Sequence, residues 1–348
     1  MKLLTDDLEY MTRHTATVWE EARGKRFFIT GGTGFFGRWI VESFCWANRV
    51  LELNASAVVL TRNPASFAQY APHLAADSAI TVLPGDVRNF EFPSGGFEYV
   101  VHAATQGGCA ELEVLDTIVE GTRHTLDFAR ELGARKFLLT SSGAVYGRQP
   151  PEIGYLEESF EGSPVLTGRN AAYGEGKRMA ELLCHLYSRD SGLECKVARC
   201  FTFVGAHLPL DSHFAIGNFI GNALRGEPLR IRGDGTPLRS YLYMADSMIW
   251  LWTMLFRAPA QRPYNLGSDR AISILELAQR VKATLRPEME IIVEQMPVPE
   301  ALLLRYVPAT VAAREELGLT VGIELDDAIR RTAAWYTEKT PEHRRVNC

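Results

Sequence analysis

Two groups of residues in this chain could do chemistry together. In Tyr173-Gly174-Glu175-Gly176-Lys177 a phenol and a primary amine stand four positions apart, so on a helix they share one face, a single turn from each other. In Thr30-Gly31-Gly32-Thr33-Gly34-Phe35-Phe36-Gly37 the glycines Gly31, Gly34 and Gly37 recur every third residue, directly after an apolar run. Such a turn at the mouth of a helix cradles a pyrophosphate on backbone N–H groups. The first group predicts a tyrosine that moves a proton and the second a bound dinucleotide, which together mean hydride transfer. A phenol with a pKa of about 10 is a poor base at neutral pH, but the Lys177 ammonium beside it and a cationic nicotinamide favour the phenolate. Tyr173 would then exchange a proton with a hydroxyl or carbonyl oxygen, and Ser142 would hydrogen-bond the same oxygen. The plainer alternative makes Tyr173 and Lys177 an exposed ion-bearing pair and Ser142 a turn residue.

These groups need a scaffold, and the rest of the chain reads as one. Arg26–Thr30, Ala57–Thr61, Ile80–Leu83, Tyr99–His102, Lys136–Thr140 and Cys195–Arg199 are short apolar runs separated by segments long enough for crossover helices. Right-handed βαβ connections between them predict an α/β, doubly wound parallel sheet of the Rossmann type, with ligands at the carboxyl ends of the strands. The expected division is an N-terminal helical arm over 1–24, a dinucleotide-binding domain over 25–200 and a smaller α/β substrate lobe over 201–348, with 239–266 returning to the first domain. In the arm, Leu8, Met11, Val18 and Trp19 mark one helix face and Gly24 its end, while Asp6, Asp7, Glu9, Glu20 and Glu21 exclude a secretory leader. It reads as a packing or oligomer arm.

Composition removes several classes of function. The 348 residues carry 37 basic and 42 acidic side chains, a net charge of −5, which gives no basic footprint for nucleic acid. The strongest apolar stretch, Met248 to Phe256, is too short to span a bilayer and reads as a buried helix. Six cysteines without a CxxC pair fit a reducing cytoplasm. His207, His213 and Asp211 have the composition of a metal site but not its spacing, and no metal is expected.

The glycine turn, with its extra Gly32, resembles that of the extended short-chain dehydrogenase/reductase proteins. Further segments carry the resemblance: Gly85-Asp86-Val87-Arg88, His102-Ala103-Ala104, Thr140-Ser141-Ser142-Gly143-Ala144-Val145-Tyr146-Gly147, Gly233-Asp234-Gly235-Thr236-Pro237-Leu238-Arg239 and Tyr264-Asn265-Leu266-Gly267-Ser268. The chain is similar, over most of its length, to NAD(P)-dependent epimerases and dehydratases that act on nucleotide-linked sugars. The resemblance implies cofactor contacts from Gly31, Thr33, Gly34, Phe35, Phe36 and Gly37. It implies others from Asp86 and Val87 at the adenine, from Ala103, Ala104 and Thr105, and from Tyr173 and Lys177. It implies substrate contacts from Ser142, Thr202, Asn218 and Arg239, the last at the diphosphate, and catalysis by Ser142, Tyr173 and Lys177. Helices over 116–132 and 173–187 resemble those through which the family forms homodimers, with Leu126, Leu182, Leu183 and Leu186 as apolar candidates.

Departures from the family pattern narrow the reaction. Related 4,6-dehydratases carry an Asp-Glu pair after the serine or threonine, related decarboxylases a Glu at the second position and related 3,5-epimerase/reductases a Cys there. Here Gly143 and Ala144 fill those positions, and neither moves a proton. What remains is hydride chemistry at one carbon, by a ketoreductase or a 4-epimerase. After the second strand, where NAD enzymes place an acid, stand Arg62 and Asn63, both expected to contact the cofactor; Arg62 would hold a 2′-phosphate, which favours NADP(H) over NAD(H). Ile118 and Thr202 stand where the family often has Asn, and the loop Gln106-Gly107-Gly108-Cys109 is short. The sequence therefore reads as an NADPH-dependent reductase of a nucleotide-linked 4-keto-6-deoxy sugar in polysaccharide or deoxysugar biosynthesis. A 4-epimerase that retains NAD is the alternative, and a dinucleotide-sensing protein without turnover is the alternative of another class.

Overall fold

In the computed structural model, residues 2–105, 110–168, 170–212, 214–298 and 302–338 are described; Gln106 to Cys109 and His213 lie outside them. The chain opens with helix α1 (Lys2–Trp19), strand β1 (Arg26–Thr30), α2 (Phe35–Val50), β2 (Ser56–Thr61), α3 (Pro64–Tyr70), α4 (Pro72–Ala75), β3 (Ile80–Pro84) and β4 (Tyr99–His102). There follow α5 (Glu111–Glu131), β5 (Lys136–Ser142), α6 (Ala171–Ser191) and β6 (Glu194–Cys200). The remainder comprises β7 (Phe203–Val204), α7 (Ala215–Arg225), β8 (Leu229–Ile231), β9 (Leu238–Arg239), β10 (Leu242–Tyr243), α8 (Met244–Arg257) and β11 (Pro263–Leu266). It ends with β12 (Ile272–Ser273), α9 (Ile274–Leu285), β13 (Ile291–Val293), β14 (Arg305–Tyr306), α10 (Val311–Leu317) and α11 (Leu325–Glu338).

Each of the apolar runs is a strand, within two residues at either end. The main sheet has seven strands in the order β11-β6-β5-β4-β1-β2-β3, and every pairing in it is parallel. This is the doubly wound Rossmann arrangement. Order reverses between β1 and β4, which leaves a crevice at the carboxyl ends of those strands.

The sheet is buried on both faces because its residues alternate between two cores. Phe27, Ile29, Val59, Tyr99, Val101 and Leu138 face a large cluster with Trp19, Trp39, Phe44 and Trp252. Phe28, Val58, Leu60, Val100, Phe137 and Leu139 face a second cluster with Ile118, Leu126, Phe128, Ala180 and Cys184. The first cluster runs on into the C-terminal residues Phe219, Ile220, Leu277 and Val281, so they share its core.

Helix α1 packs on α8 and α2, with Leu8, Met11, Val18 and Trp19 all buried. Polar ties hold it as well. Tyr243 donates to Asp7 at 2.6 Å, Arg331 donates to Asp7 at 2.6 Å, and Tyr10 donates to Asp246 at 2.9 Å. The other Asp246 oxygen accepts the backbone N–H groups of Gly322 and Ile323. Among the described residues, no helix is long and apolar enough to cross a membrane.

Candidate active site

The glycine turn is built by close backbone approach. Gly31 has φ +72°, and a Cβ there would lie 2.4 Å from the Ala103 carbonyl. At Gly37 a Cβ would lie 1.9 Å from Gly31 O, so α2 can begin directly on the turn only with glycine there. Gly34 differs: nothing stands nearer than 3.8 Å to its would-be Cβ. Its missing side chain therefore leaves open the space in front of α2, whose N-cap it is and whose first turn no side chain caps. Uncapped N–H groups at the mouth of a 16-residue helix suit a pyrophosphate. Thr33, Phe35 and Phe36 border that opening and are half-buried. The residues present therefore fit a dinucleotide.

The other cofactor candidates follow the carboxyl ends of β2, β3 and β4. Ala103 and Ala104 follow β4 and bond back to Thr30, through its carbonyl and its hydroxyl, and Thr105 beyond them is exposed. Val87 packs behind Gly121, where a Cβ would lie 2.7 Å from it. Asp86 is held by Arg88 at 2.9 Å, and hydrogen bonds from Arg88 keep its carboxyl below the usual range, with Arg62 adding to the effect. Arg62 itself is exposed. The Asn63 side chain is already engaged, accepting the Ser66 N–H as the N-cap of α3.

Tyr173 and Lys177 sit in the first turns of α6, facing the end of β5, which carries Ser142. Lys177 is 2% exposed and donates to the Thr140 carbonyl at 2.8 Å. Burial pushes its ammonium down to about 8. Its nitrogen lies 6.0 Å from the centre of the Tyr173 ring. Burial raises the Tyr173 phenol above its ordinary value, and the nearby Ser142 hydroxyl draws it back. The Lys177 amine is turned onto that backbone carbonyl, and burial is the largest influence on the phenol. Beside them His102 is fixed by Thr30 at 2.8 Å and Thr122 at 3.1 Å, and burial pushes it down to about 3, so it stays neutral.

The positions after Ser142 are open to the C-terminal lobe. Gly143 begins a single 3-10 turn whose N-cap is Ser142, accepting the Ala144 N–H at 3.1 Å. Tyr306 from β14 and Phe201 from the end of β6 crowd this glycine, their rings 4.7 Å apart. Cys200, next to Phe201, is pushed up to about 12 by burial and remains a thiol. Sequence reasoning missed Tyr306. It lies in a two-residue strand with no periodic pattern, and only the pairing of β14 with β9 brings it to Ser142.

The substrate candidates are less concentrated. Arg239 lies opposite Tyr306 in that pairing and close enough to lower the Tyr306 phenol; its guanidinium donates to its own strand, at the Leu238 carbonyl. Arg305, also unforeseen, is opposite Leu238, and its Nε is buried without a hydrogen-bond partner among the described residues. Thr202 is half-buried just past β6, its carbonyl accepting from Leu242. Asn218 holds the Ser212 carbonyl at 2.8 Å. His207 packs against Trp335 with ring centres 4.5 Å apart and lies 3.4 Å from Arg38. No cluster of metal-binding side chains occurs among the described residues. Leu126 points into the core, whereas Leu182 on α6 is 48% exposed.

Comparison with known proteins agrees with this architecture. UDP-glucuronic acid decarboxylase 6 of Arabidopsis thaliana is 31% identical over 278 residues, covering 78% of each chain. UDP-glucuronic acid decarboxylase 1 of Danio rerio is 28% identical over 347 residues, covering 93% of this chain and 75% of its own. Among solved structures, UDP-N-acetylglucosamine 4-epimerase from Methanobrevibacter ruminantium shares the fold with a TM-score of 0.78 at 18% identity, over 91% of this chain and 99% of its own. The dTDP-glucose 4,6-dehydratase of Streptomyces venezuelae, solved with NAD, does so with a TM-score of 0.73 at 24% identity, over 90% and 97%. The model of the NAD dependent epimerase/dehydratase family matches residues 27–267, and this chain belongs to that family of NAD-dependent enzymes.

Proposed function

We propose that the protein is an NADPH-dependent reductase of a nucleotide-linked 4-keto-6-deoxy sugar, serving deoxysugar or polysaccharide biosynthesis. The observation that carries this reading is a complete Ser142, Tyr173 and Lys177 set beside Gly143 and Ala144. Elimination or decarboxylation would need an acid or base there, which a glycine and an alanine cannot provide. The names of the relatives support a nucleotide-linked sugar, and Arg239 with Arg305 supports a site for its diphosphate.

When bound, the reduced dinucleotide supplies the hydride that adds to the C4 carbonyl carbon. Tyr173 gives its proton to the carbonyl oxygen as that oxygen becomes an alcohol, so each turnover takes up one proton from solvent. Ser142 hydrogen-bonds the same oxygen, and Lys177 fixes the α6 wall against β5. Gly31, Gly34 and Gly37 hold the pyrophosphate, and the exposed Arg62 holds the 2′-phosphate. We place the enzyme in the cytoplasm as a homodimer joined through α5 and α6, where Met179 and Leu182 are 43% and 48% exposed.

One observation favours a second reading, a 4-epimerase that retains NAD. Arg62 lies near enough to Asp86 to lower its carboxyl, and a carboxylate competes with a 2′-phosphate for a guanidinium. Denaturing the purified protein, identifying the released dinucleotide and then measuring NADPH oxidation with UDP- and dTDP-linked 4-keto-6-deoxyglucose separates the two. The reductase predicts an exchangeable NADP(H) site and stoichiometric oxidation. Tightly held NAD with no net oxidation would establish the epimerase.

A further inference from the structure

The groups proposed to react stand on two separate elements: Ser142 closes β5 and opens a turn, while Tyr173 and Lys177 stand in the first turns of α6. Some contact must set the gap between them. Lys177 makes one, on the Thr140 carbonyl at 2.8 Å. One turn further along the same face of α6, Glu181 accepts the Ser141 hydroxyl at 2.5 Å. Ser141 is paired across the sheet with Arg199 of β6, and side chains opposite each other in a parallel ladder point to one face. Arg199 reaches the same carboxylate.

The guanidinium is shared between α6 and the turn. Its Nε lies 3.1 and 3.2 Å from the two Glu181 oxygens, and its Nη2 lies 2.8 Å from one of them. Its Nη1 donates to Tyr146 Oη at 2.9 Å and to the Glu158 carbonyl at 3.1 Å. Tyr146 is the last residue of the 3-10 turn that Ser142 caps. The Tyr146 proton goes to Asn265 at 2.7 Å, and the Asn265 amide donates to the Leu156 and Ala309 carbonyls. The direction of each bond in this chain is thereby fixed. The ion pair is sheltered, with the Arg199 and Glu181 side chains 14% and 15% exposed. Desolvation offsets much of the attraction in such a pair, so stability is a weak account of it and fixed geometry a better one.

We infer that Arg199 is a positioning residue: holding Glu181 of α6 with one edge and Tyr146 of the Ser142 turn with another, it sets the distance between Tyr173 and Ser142. This rests on the reading of Ser142 and Tyr173 as the groups that meet the carbonyl oxygen. A misplacement of about 1 Å at such groups costs about 100-fold in rate. Only a planar fork serves both neighbours, since an ammonium is a single point charge. Arg178 supplies a comparison within the same molecule. It also ties α6 to the turn, donating to the Val145 carbonyl at 3.3 Å and to the Gly162 carbonyl at 2.7 Å, but its side chain is 43% exposed. A solvated tie holds position less firmly.

The test begins without sugar, as amide hydrogen exchange read by mass spectrometry on the full chain with NADP+ and again with NAD+. Ala144 and Gly147 report the turn, their N–H groups donating to Ser142 Oγ and to the Ala144 carbonyl. Glu181→Gln loosens Arg199 from the α6 side and is expected to speed exchange over 143–147 by about tenfold. Tyr146→Phe loosens it from the turn side and should speed exchange over 173–177 by a similar factor, while β1 and β4 keep wild-type exchange in both variants. In turnover, Arg199→Lys should lower kcat by about 100-fold with both KM values within about threefold. Adding Glu181→Gln to it should lower kcat little further, and Arg178→Ala alone should lower kcat by less than about threefold. If Arg199→Lys does not fold, Tyr146→Phe carries the same split, with a fall in kcat of about tenfold. Exchange that is not linked between the two segments, wild-type kcat in these variants, or a rise in KM matching the fall in kcat overturns the inference. Because exchange needs no sugar, a wild type that oxidises no NADPH while the two segments stay linked would reject the reductase and leave the role of Arg199 standing, its kcat then being read on 4-epimerisation.

Discussion

The two walls of the candidate site are made differently. Ser142, Tyr173 and Lys177 stand on a seven-residue strand and a 21-residue helix, and the strand is buried along its whole length in a parallel ladder. Opposite them, Arg239, Arg305 and Tyr306 stand on strands of two residues each. The first wall is held by apolar burial within contiguous segments, and the second by pairings between segments distant in sequence. On the proposed reading, proton transfer occupies the wall that cannot shift without unpacking a core. On the same reading, selection of the sugar falls to the wall that can change by replacing a few residues.

The largest way to break this contrast is Tyr173→Phe. Turnover is expected to fall by about 10³-fold, while isothermal titration gives a dinucleotide affinity within about twofold of wild type. A comparable loss of dinucleotide affinity would mean that the first wall binds rather than reacts.

A stability measurement sharpens the contrast from the outside, where polar ties between α1 and α11 support the lobe. Burial raises the Asp7 carboxyl from 3.8 to about 6. A group whose folded pKa lies above its unfolded value holds extra protons in the folded state between those two values. Stability should therefore fall as pH rises from about 4 to about 6, by at most about 3 kcal/mol from this group. Asp7→Asn should flatten that part of the profile in denaturant titrations, and an unchanged slope would remove Asp7 from the account.

On the lobe wall, Arg239→Ala should raise KM for the nucleotide sugar by about 30-fold through lost charge-assisted hydrogen bonds, with kcat within about threefold. A fall in kcat alone would move Arg239 to the reacting wall. The smallest effect expected is that of Arg62→Ala, a drop of about tenfold in the NADPH to NADH ratio of kcat/KM. An unchanged ratio would remove the phosphate clamp.

The same contrast explains what could be read from residues alone. The strands were legible because a sheet covered on both faces requires continuous apolar runs, and the glycine turn because only glycine permits approaches as short as that of Gly37 to Gly31. The pairing of Tyr173 with Lys177 followed from helical periodicity. Tyr306 and Arg305 were not legible, since a two-residue strand has no period and its neighbour is decided by the whole lobe. Asn63 was read as a cofactor contact from its place after β2, but its side chain also caps α3, a use that the same position equally allows. Leu126 and Leu182 looked alike as apolar helix residues; one is fully buried and the other 48% exposed, a difference of helix face that is set by packing on the sheet.

The most direct test of the central claim is to supply NADPH deuterated at the nicotinamide C4 together with a nucleotide-linked 4-keto-6-deoxy sugar, and to locate the label in the product. The reductase predicts one deuterium at the sugar C4 for every NADP+ formed. Product without deuterium at C4, or sugar conversion without NADP+, would contradict it.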